Sequence, residues 1–221
     1  MRLSALVFAS VLAACASMPT AVSTPAAAQE PPTAQAAPTY PVAVNLPAGE
    51  YRLDPRHASV IFRIQHQGLA WFTARFDAKA ATLTLDPNDP SHSQLSASVD
   101  ATSVNTGVLN AQGERAFDQT IGRALGSQTT QNITFVSTSI ERTGEHTGRI
   151  TGDLTMNGQT HPATLDATFV GDTNDLLRGG SRVLGFSAQG TIDRTEWGVN
   201  TWRAFTGAEV QIVIEAEFVR T

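Results

Sequence analysis

Apolar side chains recur at every second position in segment after segment of this chain. Val60, Phe62, Ile64 and His66 alternate with Ile61, Arg63 and Gln65, and Phe72, Ala74 and Phe76 alternate with Thr73, Arg75 and Asp77. The same period returns in Ala81-Leu83-Leu85, Leu95-Ala97-Val99-Ala101, Ile133-Phe135 and Ile150-Gly152-Leu154-Met156. It continues through Leu165-Ala167-Phe169 and Phe186-Ala188-Gly190-Ile192. It is clearest at the end, where Val210, Ile212, Ile214, Ala216 and Phe218 face one way and Gln211, Glu215 and Glu217 the other. A period of two predicts strands with one face buried. About eight such strands predict an all-β fold, an antiparallel barrel whose interior is either packed or holds one small ligand. A two-sheet sandwich would show much the same alternation.

Two local signals refine this picture. Asn157-Gly158, flanked by apolar strand residues, is the strongest hairpin signal in the chain. Residues 107–131 break the alternation, and Leu109, Phe117, Ile121 and Leu125 have roughly helical spacing. One short helical insertion is therefore expected between strands, placed where it could cap a barrel mouth.

The first 48 residues have a different character. Met1 and Arg2 are followed by an uncharged apolar run to Ala14, too short to span a bilayer and ordered like a signal peptide. The run ends Leu12-Ala13-Ala14-Cys15, which resembles the lipobox of bacterial lipoproteins, and Cys15 is the chain's one cysteine. Residues 1–14 are thus read as the signal, and Cys15 as the lipidated mature terminus. Ordinary cleavage after Ala16 would use the same small residues. Ala16, rather than Asp, after the cysteine favours the outer membrane by resemblance to sorted lipoproteins. From residue 16 to 48 the chain holds seven of its 11 prolines and a single charge, Glu30. No core can form from that composition, so residues 15–48 are expected to be a tether and 49–221 the folded domain.

Charge and cysteine content narrow the function. With 15 Lys+Arg against 20 Asp+Glu, the net charge is -5, and Lys79 is the sole lysine. Nucleic-acid binding by phosphate neutralisation needs a dense cationic face and is excluded. One cysteine excludes an intramolecular disulfide, and a structural zinc finds no Cys/His cluster.

The order of short motifs carries a resemblance. Residues 51–68, reading YRLDPRHASVIFRIQHQG, resemble the opening of the YceI family of lipocalin-like polyisoprenoid-binding proteins. Residues 72–76 resemble its second strand, Ser103-Val104-Asn105-Thr106 its Ser-x-x-Thr element and Ile133-Thr134-Phe135 the strand after its helix. The heptapeptides 152–158, GDLTMNG, and 192–198, IDRTEWG, resemble its Gly-x-Leu-Thr hairpin and its Ile-x-Arg-x-x-aromatic-Gly element. The family's Arg-Asp-x-His-Leu and Phe-Phe-Asp elements are absent between Thr106 and Ile133. The resemblance implies a lipocalin-like barrel, export to the periplasm and a bound polyisoprenoid or other long-chain amphiphile, with no catalytic cofactor.

Strand parity then nominates an apolar lumen lined by Phe62, Ile64, Phe72, Phe76, Phe135, Leu154, Phe186, Ile212 and Ile214. The small residues Ala97, Ala101, Gly152, Ala188 and Gly190 on the same faces would leave it open. His66 shares inward parity and is either a rim histidine or a head-group contact; Arg203 is a second head-group candidate. The aromatics of residues 197–205 could line a mouth or staple a loop, and packing beside Trp197 is the ordinary reading of Arg194. His57 and His66, an odd number of residues apart on one strand, point to opposite faces and do not share a metal. His161 beside Pro162 reads as a solvated turn. No Gly-x-Ser-x-Gly elbow or Walker loop occurs, so no catalytic group is nominated and the protein is not expected to be an enzyme. The expected partners are an amphiphilic lipid and the membrane holding Cys15. An accessory role, presenting an isoprenoid quinone to a membrane redox partner, is the alternative, and a homodimer is compatible with either.

Overall fold

The computed structural model describes residues 46–221. The expected signal peptide 1–14, Cys15 and nearly all of the 15–48 tether lie outside the described residues.

The strands are β1 (Gly49–His66), β2 (Ala70–Phe76), β3 (Lys79–Leu85), β4 (Gln94–Asp100), β5 (Val104–Asn105), β6 (Asn132–Arg142), β7 (Thr147–Met156), β8 (Gln159–Asp175), β9 (Ser181–Asp193) and β10 (Thr206–Arg220). One α-helix, α1 (Ala116–Ala124), interrupts them. All pairings are antiparallel, and β10 returns to pair with β1, so the sheet closes. β2 and β3 occupy the same edge of β1 end to end, β2 against residues 61–66 and β3 against 49–52. They form one bent arm. With β5 a two-residue addition to β2, the barrel has eight arms joined in sequence order, and the expected barrel holds over the expected sandwich. Closure pairs the β1 and β10 edges, leaving the outer edge of β2 covered only at Arg75 and Phe76 by β5.

The alternation explains the wall and the bulges explain its curvature. Register slips in β1 against β10, in β6 against β7 and in β8 against β9 each insert residues on one strand and sharpen its bend. The slip after Phe169 has a second effect. It places Asp172 opposite Leu184, which is fully buried, so β8 turns a carboxylate inward where its earlier parity would have kept it out. Asp172 pairs with Arg182 at 2.6 Å. Nearby Tyr51 is fully buried, donates its hydroxyl to the Pro47 carbonyl at 2.6 Å, and packs with Leu83, Leu184, Ala216 and Phe218. This cluster lies at the end of the barrel where β1 begins.

At the opposite end α1 covers the wall. Its Ile121 packs with Ala74, Phe76 and Val104, and against Phe62 and Phe72. Leu109, included in the expected helical spacing, lies in the loop before the helix instead. Asp118, buried in the first turn, accepts the Thr106 amide at 2.9 Å and the Thr106 hydroxyl at 2.5 Å, and pairs with Arg115. Those bonds fasten the helix to the strand that precedes it.

Candidate functional site

The barrel encloses a cavity of about 1040 Å³. All nine apolar positions nominated from parity line it: Phe62, Ile64, Phe72, Phe76, Phe135, Leu154, Phe186, Ile212 and Ile214. Several are only half-buried because one face of each looks into the cavity. Rings follow one another along the wall, Phe62 to Phe76 at 5.7 Å, Phe169 to Phe186 at 5.4 Å and Phe186 to Phe218 at 6.0 Å. At about 30 Å³ per heavy atom, complete filling of the space would take roughly 35 carbon atoms.

The small residues divide into two groups. Ala97 and Ala188 line the cavity and leave it wide. Gly152 and Gly190 do not widen it, a correction to the parity reading. A Cβ on Gly152 would stand 2.5 Å from the Phe135 ring, and one on Gly190 would stand 2.6 Å from the Thr164 carbonyl and 2.9 Å from Leu165. Their missing side chains let neighbours close down on the backbone. Ala101 is fully buried and lies off the cavity wall.

One opening is marked by residues that both line the cavity and reach solvent: His66, Phe117, Trp202 and Phe205. Phe117 of α1 stands 6.0 Å from Phe72 and 6.2 Å from Trp202, so the helix and the loop between β9 and β10 meet in an aromatic arch. The loop is held from below. Arg194, 5% exposed, donates to the carbonyls of Val199, Thr201 and Gly207 and to the Thr206 hydroxyl. Burial lowers its pKa from the usual guanidinium value, yet no carboxylate touches it among the described residues, and backbone carbonyls carry the compensation. Trp197, 1% exposed, is the staple, while Trp202 and Phe205 form the mouth. The 197–205 segment thus does both things that its aromatics suggested.

His66 lies at this mouth, whereas Arg203 is exposed and does not line the cavity. The reason is local. The turn after Asn200 sends the Trp202 indole inward and leaves Arg203 outside, near Asp193. His161 is no solvated turn but a β8 residue opposite Leu154, its ring edge-on to Trp197 at 5.2 Å. The cavity also reaches Glu141, Arg142, Glu145 and His146 on the β6–β7 hairpin. Parity on β6 gave little warning of them, because the slip after Ser137 interrupts the count before Glu141 and Arg142, and Glu145 and His146 lie beyond the strand.

Away from the cavity, Asp54, His57 and Glu217 bring ligand-type atoms within 4.8 Å of one another. The Asp54 carboxylate already pairs with Arg178 and shares a 2.6 Å hydrogen bond with His57. Burial pushes Asp54 up, but His57, the Arg56 amide and Arg178 outweigh it and hold the carboxyl far below its ordinary value. The group is an ion-pair clamp joining the β8–β9 turn to β1. His57 belongs to this clamp.

The likenesses to known proteins follow the barrel. Protein YceI of Escherichia coli O157:H7 is 34% identical over 175 residues, 78% of this chain and 88% of that protein. Burkholderia cenocepacia BcnA has the same fold, with a TM-score of 0.64 at 20% identity over 76% of this chain and 99% of that one. A polyisoprenoid binding domain from Saccharophagus degradans, implicated in plant cell wall breakdown, superposes with a TM-score of 0.55 at 11% identity, over 79% of this chain and all of that one. A family model for the YceI-like domain matches residues 51–218, from the strand that opens the barrel to the strand that closes it, and the chain belongs to that family.

Proposed function

We propose that the protein binds a long-chain isoprenoid or similar amphiphile inside the barrel, and that it carries or sequesters this lipid in the cell envelope. The observation that carries the reading is the cavity of about 1040 Å³ with its apolar wall. A tail leaving water gains about 0.8 kcal/mol per methylene in such a space. A tail leaving a bilayer gains almost nothing, because it is already in hydrocarbon. Selection then rests on the length and width set by Ala97, Ala188 and the phenylalanines, and on polar groups at the two ends. His66 at the mouth and the charged β6–β7 hairpin are the candidates for these. The likeness to the polyisoprenoid binding domain supports the ligand class.

The reading is of a binding protein. Export and an outer-membrane anchor through Cys15, facing the periplasm, complete it. Native mass spectrometry of protein purified from membranes, followed by solvent extraction, tests the proposal. One extractable isoprenoid or fatty-acyl lipid per chain is expected, and a quinone would be recognised by its ultraviolet spectrum. Lipid-free protein that binds neither a prenyl nor a fatty-acyl probe at micromolar concentration would overturn it.

A further inference from the structure

The aromatic mouth continues onto the outer surface as a set of exposed apolar side chains. Leu69, at the tip of the β1–β2 turn, is 81% exposed, Phe205 54%, Phe117 38% and Trp202 37%. The Gln67 amide donates to the Phe205 carbonyl at 2.8 Å, so the turn that carries Leu69 and the loop that carries Phe205 are joined. Trp202 adopts a left-handed backbone, φ 56, which a bulky residue rarely does. The fold accepts that strain where the indole overhangs the opening. Phe72 inside meets Phe117, Phe117 meets Trp202 at the opening, and Phe205 and Leu69 are exposed on the two loops joined beside it.

We infer that this rim docks on a phospholipid bilayer, so that a lipid tail passes between membrane and lumen without crossing water. The inference rests on the lipid-binding reading above. A tail that left the bilayer through water would give up the hydrophobic gain of every methylene on the way, and a contiguous apolar path removes that barrier. Tryptophan and phenylalanine suit the level of the headgroups, where one side is apolar and the other wet. Cations stand beside them. Arg63 lies 5.2 Å over the Trp71 ring on the adjacent strand pair, and Arg203 is exposed within the same loop as Trp202 and Phe205. Both are placed to meet phosphate groups when the rim is immersed.

A second exposed apolar feature competes for this role. Leu176 and Leu177, 86% and 98% exposed, cap the β8–β9 turn at the other end of the barrel. Neither lines the cavity, and the cavity-lining residues of the β6–β7 hairpin include the charged Glu141, Arg142 and Glu145, which hydrocarbon does not accept.

The test compares full-length Leu69→Asp and a Leu176→Asp/Leu177→Asp double variant with wild type. Leu69 is exposed and off the cavity wall, so its substitution leaves the binding space intact. The measured quantity is the uptake of a dansyl-labelled prenyl alcohol, offered either in octyl glucoside micelles or in phosphatidylcholine vesicles. From micelles, all three proteins should reach the same occupancy. From vesicles, Leu69→Asp should be slower by about tenfold, Leu69→Trp should match or exceed wild type, and the double variant should be unchanged. Equal vesicle rates for Leu69→Asp and wild type, or slowing confined to the double variant, would overturn docking at the rim. Wild type that takes up no probe from micelles would instead overturn the lipid-binding reading itself.

Discussion

The indole N–H of Trp197 donates to the Leu154 carbonyl at 2.9 Å, tying the turn after β9 to a strand of the lumen wall. The Trp197 carbonyl in turn accepts Asn157 Nδ2 at 3.0 Å from the tip of the β7–β8 hairpin. Two loops that are distant in sequence are thereby locked beside each other, and Arg194 in the same short turn braces the mouth loop above them.

That lock sets the first prediction. Trp197→Phe keeps much of the ring volume and loses the hydrogen bond, at a cost of about 0.5 to 1.5 kcal/mol. Trp197→Ala also leaves a cavity and should cost about 3 to 5 kcal/mol. For a domain of this size the first corresponds to a fall in Tm of roughly 1 to 6 °C and the second to a much larger one. Circular dichroism melts check the order. Equal melting of wild type and Trp197→Ala would show that the turn braces nothing.

Acid should loosen the barrel through buried carboxylates. Burial alone would raise Asp118, but the Thr106 hydroxyl and amide and the Arg115 guanidinium outweigh it, so its pKa lies below the ordinary value. Asp54 is shifted the same way. A folded-state pKa below the unfolded one means that the unfolded chain binds the proton first. The stabilisation is therefore complete above the unfolded value of about 4 and is lost as pH falls through the folded values. Urea midpoints should be level between about pH 5 and 7 and drop below about pH 4. Asp118→Asn should cost about 1.5 to 3 kcal/mol at neutral pH and flatten part of the acid drop. A variant with the full wild-type acid drop would take Asp118 out of this account.

How far the sequence reveals these features depends on how local their causes are. The nine lumen positions were legible because inward direction on an unbroken strand follows from parity alone. Asp172 was not, since the slip after Phe169 reverses the count, and Glu145 and His146 of the charged hairpin lie beyond the end of β6, where no strand parity applies. Ile121 announced the helix through its spacing, but the start of α1 is held by Asp118 meeting Thr106, twelve residues away. Arg203 stands outside the cavity for a similar reason. Its direction is set by the left-handed turn at Trp202, which no pattern of apolar residues encodes.

The proposed anchor gives the third prediction. Cells fed an alkyne fatty acid should label the wild-type protein, and Cys15→Ser should lose the label and move to the soluble fraction. A single acyl chain holds only marginally, whereas the several chains of a bacterial lipoprotein hold stably, so the shift should be nearly complete. Membrane association unchanged in Cys15→Ser would mean that some other part of the chain provides it.

The last prediction separates a working lumen from a merely hollow one. Ala188 lines the cavity from β9, opposite Ile214 on one side and Ala167 on the other, all three facing inward. A tryptophan there has cavity ahead of it and should fill a large part of the space between the phenylalanines. The outcome of Gly152→Phe differs, because the Phe135 ring already occupies the position of the new side chain. That variant should overpack the wall and lose about 1 to 3 kcal/mol or more. Ala188→Trp should therefore keep a β-type circular dichroism spectrum and a near-native melt while losing prenyl-probe binding by at least about tenfold. Isothermal titration or probe fluorescence reads the affinity, and the melt guards against unfolding as the cause. If Ala188→Trp folds and still binds with wild-type affinity, the ligand does not occupy the middle of the barrel, and the cavity serves some purpose other than holding a tail.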